Sequence, residues 1–378
     1  LPGWLNNDKK SSKRDHHEKR QVMAEIGGQL SKRIVSLRFL LIVFVVFIHN
    51  TVSEVKYADS TTVYQIPEYA RIIRVIVTDV FSRSAVPLFF LLSGYLFFMK
   101  EAAYWPVVKK KTKSILLPYM LWSLLAVLFY FLAQNISFTK VYFSNPLNIV
   151  ADFDWLDWVD VFAGLFTARA PYPLVYQFWF IRDLFTAFLL FPILKWFIDR
   201  LPFGTFIILS VLWITYTNLY LVSAEALLFF SLGYYIVKYK LTIESLDKIK
   251  IGDFLAGFSA TIFFEVFFLK SFSFIHFINL VLGVLFLLRI SFYFIRNEKV
   301  FSILAWLEGY AFFVYAFHEP LLTILKKVSV RVIPMEGGYI LLHYFFLTFL
   351  TVIISLAAGV LVKKITPRVY ALLTGGRV

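Results

Sequence analysis

Long apolar stretches recur through this chain, and the charged residues between them gather in short clusters instead of spreading along amphipathic faces. That pattern leaves few folds open. A helix needs about 20 mainly apolar residues to cross a hydrocarbon core, and such stretches fall at 35–53, 80–99, 114–133, 174–194, 204–222, 224–237, 254–270, 275–292, 301–325 and 339–362. The stretch at 224–237 is short for a crossing. With 60% hydrophobic and only 16% charged residues, the chain has too little polar surface to coat a soluble globule of 378 residues. The expected fold is all-α, a polytopic transmembrane bundle of about ten helices solvated largely by lipid.

The placement of cations sets the orientation. One set of connections holds Lys9, Lys10, Lys13, Arg14, Lys19, Arg20, Lys32 and Arg33, then Lys100, Lys109, Lys110, Lys111 and Lys113, and later Lys238, Lys240, Lys248, Lys250, Lys363 and Lys364. The long connection after the third stretch carries Asp152, Asp154, Asp157 and Asp160 instead. The positive-inside rule then predicts both termini in the cytoplasm. A loop with Lys326, Lys327 and Arg331 is the exception and is expected outside. Sorted this way, the net charge of +14 marks membrane topology and contact with anionic lipid, and nucleic acid is not an expected partner.

Residues 1–33 read as a basic cytoplasmic tail, 34–364 as one transmembrane domain and 365–378 as a short cytoplasmic C-terminal tail. The first segment lacks an apolar core ahead of a small-residue cleavage site, so it is not a secretory signal, and His16 and His17 within it are not expected to be catalytic. The absence of Cys removes disulfides, thiolate metal sites and a cysteine nucleophile.

Chemistry is therefore sought among the polar groups set inside apolar helices, where an ionisable side chain costs a few kcal/mol or more unless paired or hydrated. In SLRFLLIVFVVFIHN, Arg38 and His49 are eleven residues apart, close to three helical turns, so they share a face at about 16 Å along the axis. Snorkelling of Arg38 to headgroups is the plainer use of that residue. In VPLFFLLSGYLFF, Ser93, Gly94 and Tyr95 allow close approach of either a helix or a thin ligand. In YQFWFIRDLFTAFLLFP, the adjacent Arg182 and Asp183 point about 100° apart, and each is expected to serve a different partner. Near the end, LEGYAFFVYAFHEPLLTIL supplies Glu308, Tyr315, His318, Glu319 and Pro320. Glu308 and Glu319 repeat the eleven-residue spacing, and Pro320 predicts a kink suited to a cavity lining. His276 and His343 lack such neighbours and read as satisfied histidines. No His-x3-His or His-Glu-x-x-His spacing occurs in a span, so no metal is expected.

The order of these strings, Arg-x10-His, FFLLSGY, FWFIRDLF and YAFHEP, resembles the acyltransferase-3 family of membrane acyltransferases over nearly the whole chain, and the tail ITPRVYALLTGGR is similar to bacterial members. In KKKTKSILLPY, Lys113 stands where relatives often have arginine. The resemblance implies a ten-helix bundle in the bacterial inner membrane that moves an acyl group from acyl-CoA to an extracytoplasmic glycan or lipid-linked saccharide. Acetyl-CoA is the implied default donor. Carried over residue by residue, it implies His49 as the catalytic base and Arg38, Ser93, Gly94, Tyr95 and Lys113 as donor contacts. Arg182 or a backbone amide near Ser93 would stabilise the oxyanion, while Glu319 or Asp183 would orient a histidine; His318 as the base, and transient acylation of His49, stay open. A sugar hydroxyl is a poor nucleophile until its proton is being removed, which a neutral histidine does well near pH 7. Two other classes fit the composition: a transporter or flippase using the same buried groups as a substrate pathway, and a scaffold. The aromatic, acidic outer loop containing Trp155, Asp157 and Trp158 could bind sugar by stacking, although tryptophans at an interface ordinarily anchor the chain.

Overall fold

The protein is described here by a computed structural model covering residues 28–51, 53–56, 61–99, 104–143, 145–217, 219–268 and 274–377. The expectations for most of the basic tail, from Lys9 to Arg20 and including His16 and His17, and for Lys100 lie outside the described residues.

Helix α1 runs over 28–49 and leads into a short antiparallel hairpin, β1 (Glu54–Lys56) with β2 (Thr61–Val63), in which Val55 stands opposite Thr62. The bundle continues with α2 (Glu68–Phe98) and α3 (Tyr104–Asn135). Two short helices, α4 (Ser137–Phe143) and α5 (Trp155–Asp160), lie in the acidic connection. Then come α6 (Trp179–Arg200), α7 (Pro202–Ile214), α8 (Ala224–Lys238) and α9 (Ile251–Phe268). The chain closes with α10 (Phe274–Arg296), α11 (Glu298–Val332), α12 (Tyr339–Ile365) and α13 (Pro367–Thr374). This is an all-α polytopic bundle. A helix stands at each of the expected places, and six among the described residues, α2, α3, α9, α10, α11 and α12, are long and apolar enough to cross a membrane. Of the others, α7 and α8 have only 13 and 15 residues, and α6 carries Arg182, Asp183, Lys195, Asp199 and Arg200.

Helix boundaries differ from the expected ones for local reasons. Helix α2 begins at Glu68, directly after Pro67, whose φ suits a helix start and whose missing N–H is not needed there. Helix α6 is delayed to Trp179 by a 3-10 turn over Tyr176–Phe178. Helix α7 ends at Ile214, just before Tyr216 takes a positive φ of 51°. The expected outer loop with Lys326, Lys327 and Arg331 is corrected: no proline or glycine intervenes before Pro334, so these cations ride the last turns of α11. The kink expected at Pro320 is present. Glu319 leaves the helical region with φ −112° and ψ 133°, as a residue before proline is driven to do.

The core is aliphatic and aromatic. Leu37, Leu41 and Val46 of α1, Leu88 and Phe90 of α2, Phe230 of α8, and Val314 and Leu322 of α11 are fully buried, while Leu132 of α3, Phe203 and Ile208 of α7 and Ile353 of α12 face outward. Outward apolar faces of this kind are stable against lipid tails and costly in water. Helices α2 and α8 cross closely because small residues meet: a Cβ on Gly94 would lie 2.2 Å from the Phe230 carbonyl oxygen, and one on Gly233 2.3 Å from the Tyr95 amide nitrogen. The space beside Gly94, one of the expected donor contacts, is thus taken by the backbone of α8.

The connection from α5 to α6 is irregular but pinned. Asp160 is fully buried and accepts from the backbone N–H groups of Leu165 at 2.7 Å, Phe166 at 2.9 Å and Thr167 at 2.6 Å. Burial alone would push its carboxyl up, but the N–H groups of Leu165, Thr167 and Phe166 outweigh that and hold it below its ordinary value. A carboxyl with a lowered folded pKa lends stability above its unfolded value of about 3.9, and that stability is lost as pH falls through the folded value. Asp160→Asn, which turns an acceptor into a partial donor facing three N–H groups, should therefore destabilise the protein by about 1–3 kcal/mol at neutral pH. Thermal melts from pH 7 to 3 should show the gap between variant and wild type closing only at the acid end; a constant gap would contradict the assignment.

Candidate active site

Helices α1 and α11 run side by side in the same direction, matched at two levels. At one end Arg38 of α1 pairs with Glu308 of α11, with side chains 37% and 23% exposed. At the other end the His49 ring stacks on His318 at 5.5 Å between centroids and 20° between planes. The eleven-residue interval from Arg38 to His49 is thus met on α11 by the ten-residue interval from Glu308 to His318, the residue before Glu319.

The kink builds the His318 end. One residue before the non-helical Glu319, His318 Nδ1 lies 2.6 Å from the Tyr315 carbonyl. A carbonyl only accepts, so Nδ1 carries the proton and Nε2 keeps its lone pair. His318 is fully buried, and its Nε2 has no partner within the protein. Glu319 turns the other way and accepts from the Tyr176 hydroxyl at 3.0 Å, while the Tyr176 ring meets His49 edge-on at 4.9 Å. His49, His318, Glu319 and Tyr176 therefore form one cluster, drawn from α1, α11 and the turn before α6. Thr51, just past His49, accepts from Lys326 at 3.1 Å, so a cation expected in a remote loop stands close by.

A small cavity of about 20 Å³ adjoins His49, lined by Val45, Val86, Phe89, Gln177, Trp179, Phe180 and Tyr315. Its walls are mostly apolar. Gln177 is the exception, only 1% exposed and with neither Oε1 nor Nε2 partnered. Its backbone is held in place, since the Tyr315 hydroxyl donates to the Gln177 carbonyl at 2.6 Å.

Arg182 and Asp183 each serve a different partner, as expected, and in addition pair with each other, which was not expected from the sequence. Arg182 reaches Asp183 Oδ1 through Nη2 at 2.8 Å and through Nε at 3.0 Å; the side chain is long enough to curl back over the helical step between them. Each also has the outside partner expected of it. Arg182 Nη1 donates to the carbonyls of Ala163 at 2.7 Å and Pro171 at 2.8 Å, and Asp183 Oδ2 accepts from the Ser223 N–H at 2.7 Å. Ser223 in turn caps α8. The pair thus satisfies irregular backbone within an apolar bundle, where unpaired carbonyls are costly.

The remaining expected residues lie apart from the histidine cluster. Tyr95 and Gly94 are buried at the α2–α8 crossing, Ser93 is half-buried beside them, and Lys113 is exposed on α3. His343 is satisfied as expected, by Ser329 and by the Ile333 carbonyl, each at 3.1 Å. At the Arg38 end, α13 docks on α11: the Tyr370 hydroxyl donates to the Gly309 carbonyl at 2.7 Å, and Arg377 lies 4.5 Å over the Phe312 ring. No cluster of three or more potential metal ligands occurs among the described residues. Tyr176 and Gln177 were not singled out from the sequence. The available signal was their position, an amide and a phenol directly ahead of FWFIRDLF.

Comparison with known proteins adds two findings. A family model described as an acyltransferase domain matches residues 32–360. The succinoglycan biosynthesis protein ExoH of Rhizobium meliloti (strain 1021) is 27% identical over 369 residues, covering 93% of each chain. No solved structure matches.

The Arg182–Asp183 pair supports the loop instead of facing the cavity, so its loss should be read in stability. Arg182→Met would strand Asp183 and two carbonyls, and breaking a buried pair costs about 3–5 kcal/mol. The expected result is a large drop in melting temperature in detergent; a variant melting with the wild type would contradict this role.

Proposed function

Because the chain belongs to the acyltransferase family whose model spans residues 32–360, we propose that it is a membrane-embedded O-acyltransferase. It takes an acyl group, acetyl or succinyl, from cytosolic acyl-CoA and places it on a hydroxyl of a polysaccharide or its lipid-linked precursor. The relative named for succinoglycan biosynthesis supports a glycan acceptor, and the cation-rich connections support a bacterial inner membrane with both termini in the cytoplasm. The observation that carries the reading is the cluster of His49, His318, Tyr176 and Glu319 beside a small cavity.

Its chemistry follows from the groups. His49, which lines the cavity, takes the proton of the acceptor hydroxyl as that oxygen bonds to the thioester carbonyl carbon. The C–S bond then breaks, and the departing thiolate receives the proton from His49, so the base returns to its starting form. His318, its tautomer set by the Tyr315 carbonyl, backs the His49 ring. Tyr176, hydrogen-bonded to Glu319, closes the other side and fixes the angle of attack. The donor's phosphates stay at the Arg38 end. Arg38 and His49 are about 16 Å apart along α1, a gap that a slender thioester arm lying between helices spans.

The test is transfer of labelled acetyl or succinyl from its CoA ester to glycan in membranes holding equal amounts of folded wild type or His49→Ala. General-base catalysis contributes about 10²–10⁴-fold, so at least a hundredfold loss is expected in the variant. Undiminished labelling would remove His49 from catalysis. No labelling by the wild type with any acyl-CoA, together with movement of saccharide across the membrane, would turn the reading to transport.

A further inference from the structure

Every acyl transfer through a tetrahedral intermediate needs a hydrogen-bond donor aimed at the oxygen that becomes negative, and that term is commonly the largest single contribution to the rate. Arg182, one sequence-level choice for this donor, spends its guanidinium on Asp183, Ala163 and Pro171. Gln177 is differently placed. It lines the His49 cavity, is 1% exposed, and leaves both ends of its amide without partners. Native proteins pair the great majority of buried polar side-chain atoms, and an unpaired one carries a real cost. An amide held so, by a backbone fixed through the Tyr315 hydroxyl, is poised for a ligand atom. The cavity, at about 20 Å³, suits a group about the size of one water molecule. Tyr315 cannot readily serve instead, because its hydroxyl proton is already donated to Gln177.

We infer that Gln177 is a catalytic residue that binds the carbonyl oxygen of the transferred acyl group and stabilises it as an oxyanion. As the acceptor oxygen adds to the carbonyl carbon, the C=O π pair moves onto oxygen and the Gln177 Nε2–H donates to it. When the C–S bond breaks, the pair returns to re-form C=O and the thiol leaves with the proton that His49 had taken. The inference rests on the acyl-transfer reading, and it deepens that reading by naming the atom that recognises an acyl thioester as a class.

Two variants test it. Gln177→Glu keeps the shape but presents carboxylate oxygens to the oxyanion. Gln177→Met keeps the length, removes every polar atom and leaves nothing buried unpaired. With labelled acetyl-CoA and succinyl-CoA as donors and membrane glycan as acceptor, both variants should lose about 10²–10³-fold in kcat, with donor KM within about threefold of the wild type. Gln177→Met should melt at or above the wild-type temperature. A purely structural Gln177 would give the opposite pattern, a lower melting temperature with kcat within about threefold, and that result would overturn the proposal. If the wild type itself transfers no acyl group, the underlying reading fails instead, and the two failures are separable in the same assay.

Discussion

The parallel pairing of α1 and α11 is the constraint on which the rest depends. Arg38 meets Glu308 at one level and His49 stacks on His318 at the other, so an eleven-residue interval on α1 and a ten-residue interval on α11 must stay in register. A slip of one residue on either helix would swing one pair off the interface by about 100°. Such a fixed register matters in a bilayer, where lipid tails are as apolar as the helix faces and greasy contact alone does not choose an alignment. Polar pairs do. In the proposed mechanism the same pairs that align the helices would also supply the reactive groups, tying the stability of the bundle to the geometry of its site.

Around that axis the bundle tolerates irregular backbone only where protein groups satisfy it. Next to the Pro320 kink, the Tyr315 carbonyl accepts from His318 Nδ1 and fixes the ring's tautomer. The connection ahead of α6 is held by Asp160 through three amides and by Arg182 through two carbonyls. It ends in Tyr176 and Gln177, which come to rest against His49, Glu319 and Tyr315. Buried charges thus build the platform, while the less conspicuous Tyr176 phenol meets His49 and the Gln177 amide lines the cavity.

Much of this was legible in the sequence, for reasons specific to each element. Apolar length alone located the helices, and Pro320 announced its kink. Arg38 and His49 were legible because helical periodicity fixes which residues share a face. That periodicity speaks for one helix at a time, so it could not show that Glu308 and His318 answer them across an interface. Adjacent residues 100° apart suggested separate duties for Arg182 and Asp183, and each has its own partners, but the reach of an arginine side chain adds a direct pair between them. Gly94 carried two uses in one small residue, and the neighbouring backbone of Phe230 shows the packing use. Gln177 was hidden because it sits in a 3-10 turn where no period applies and its significance lies in partners it lacks.

If acyl groups pass from a donor held at the Arg38 end to an acceptor near His49, transfer must be sided. The direct measurement is labelling of glycan in sealed membrane vesicles of both orientations, with labelled acyl-CoA added only outside. Label should enter glycan when the outer medium meets the cytoplasmic face, and not in right-side-out vesicles until they are made permeable to the donor. Equal labelling in intact right-side-out vesicles would contradict a cytoplasmic donor site and, with it, the division of labour between the two ends of α1.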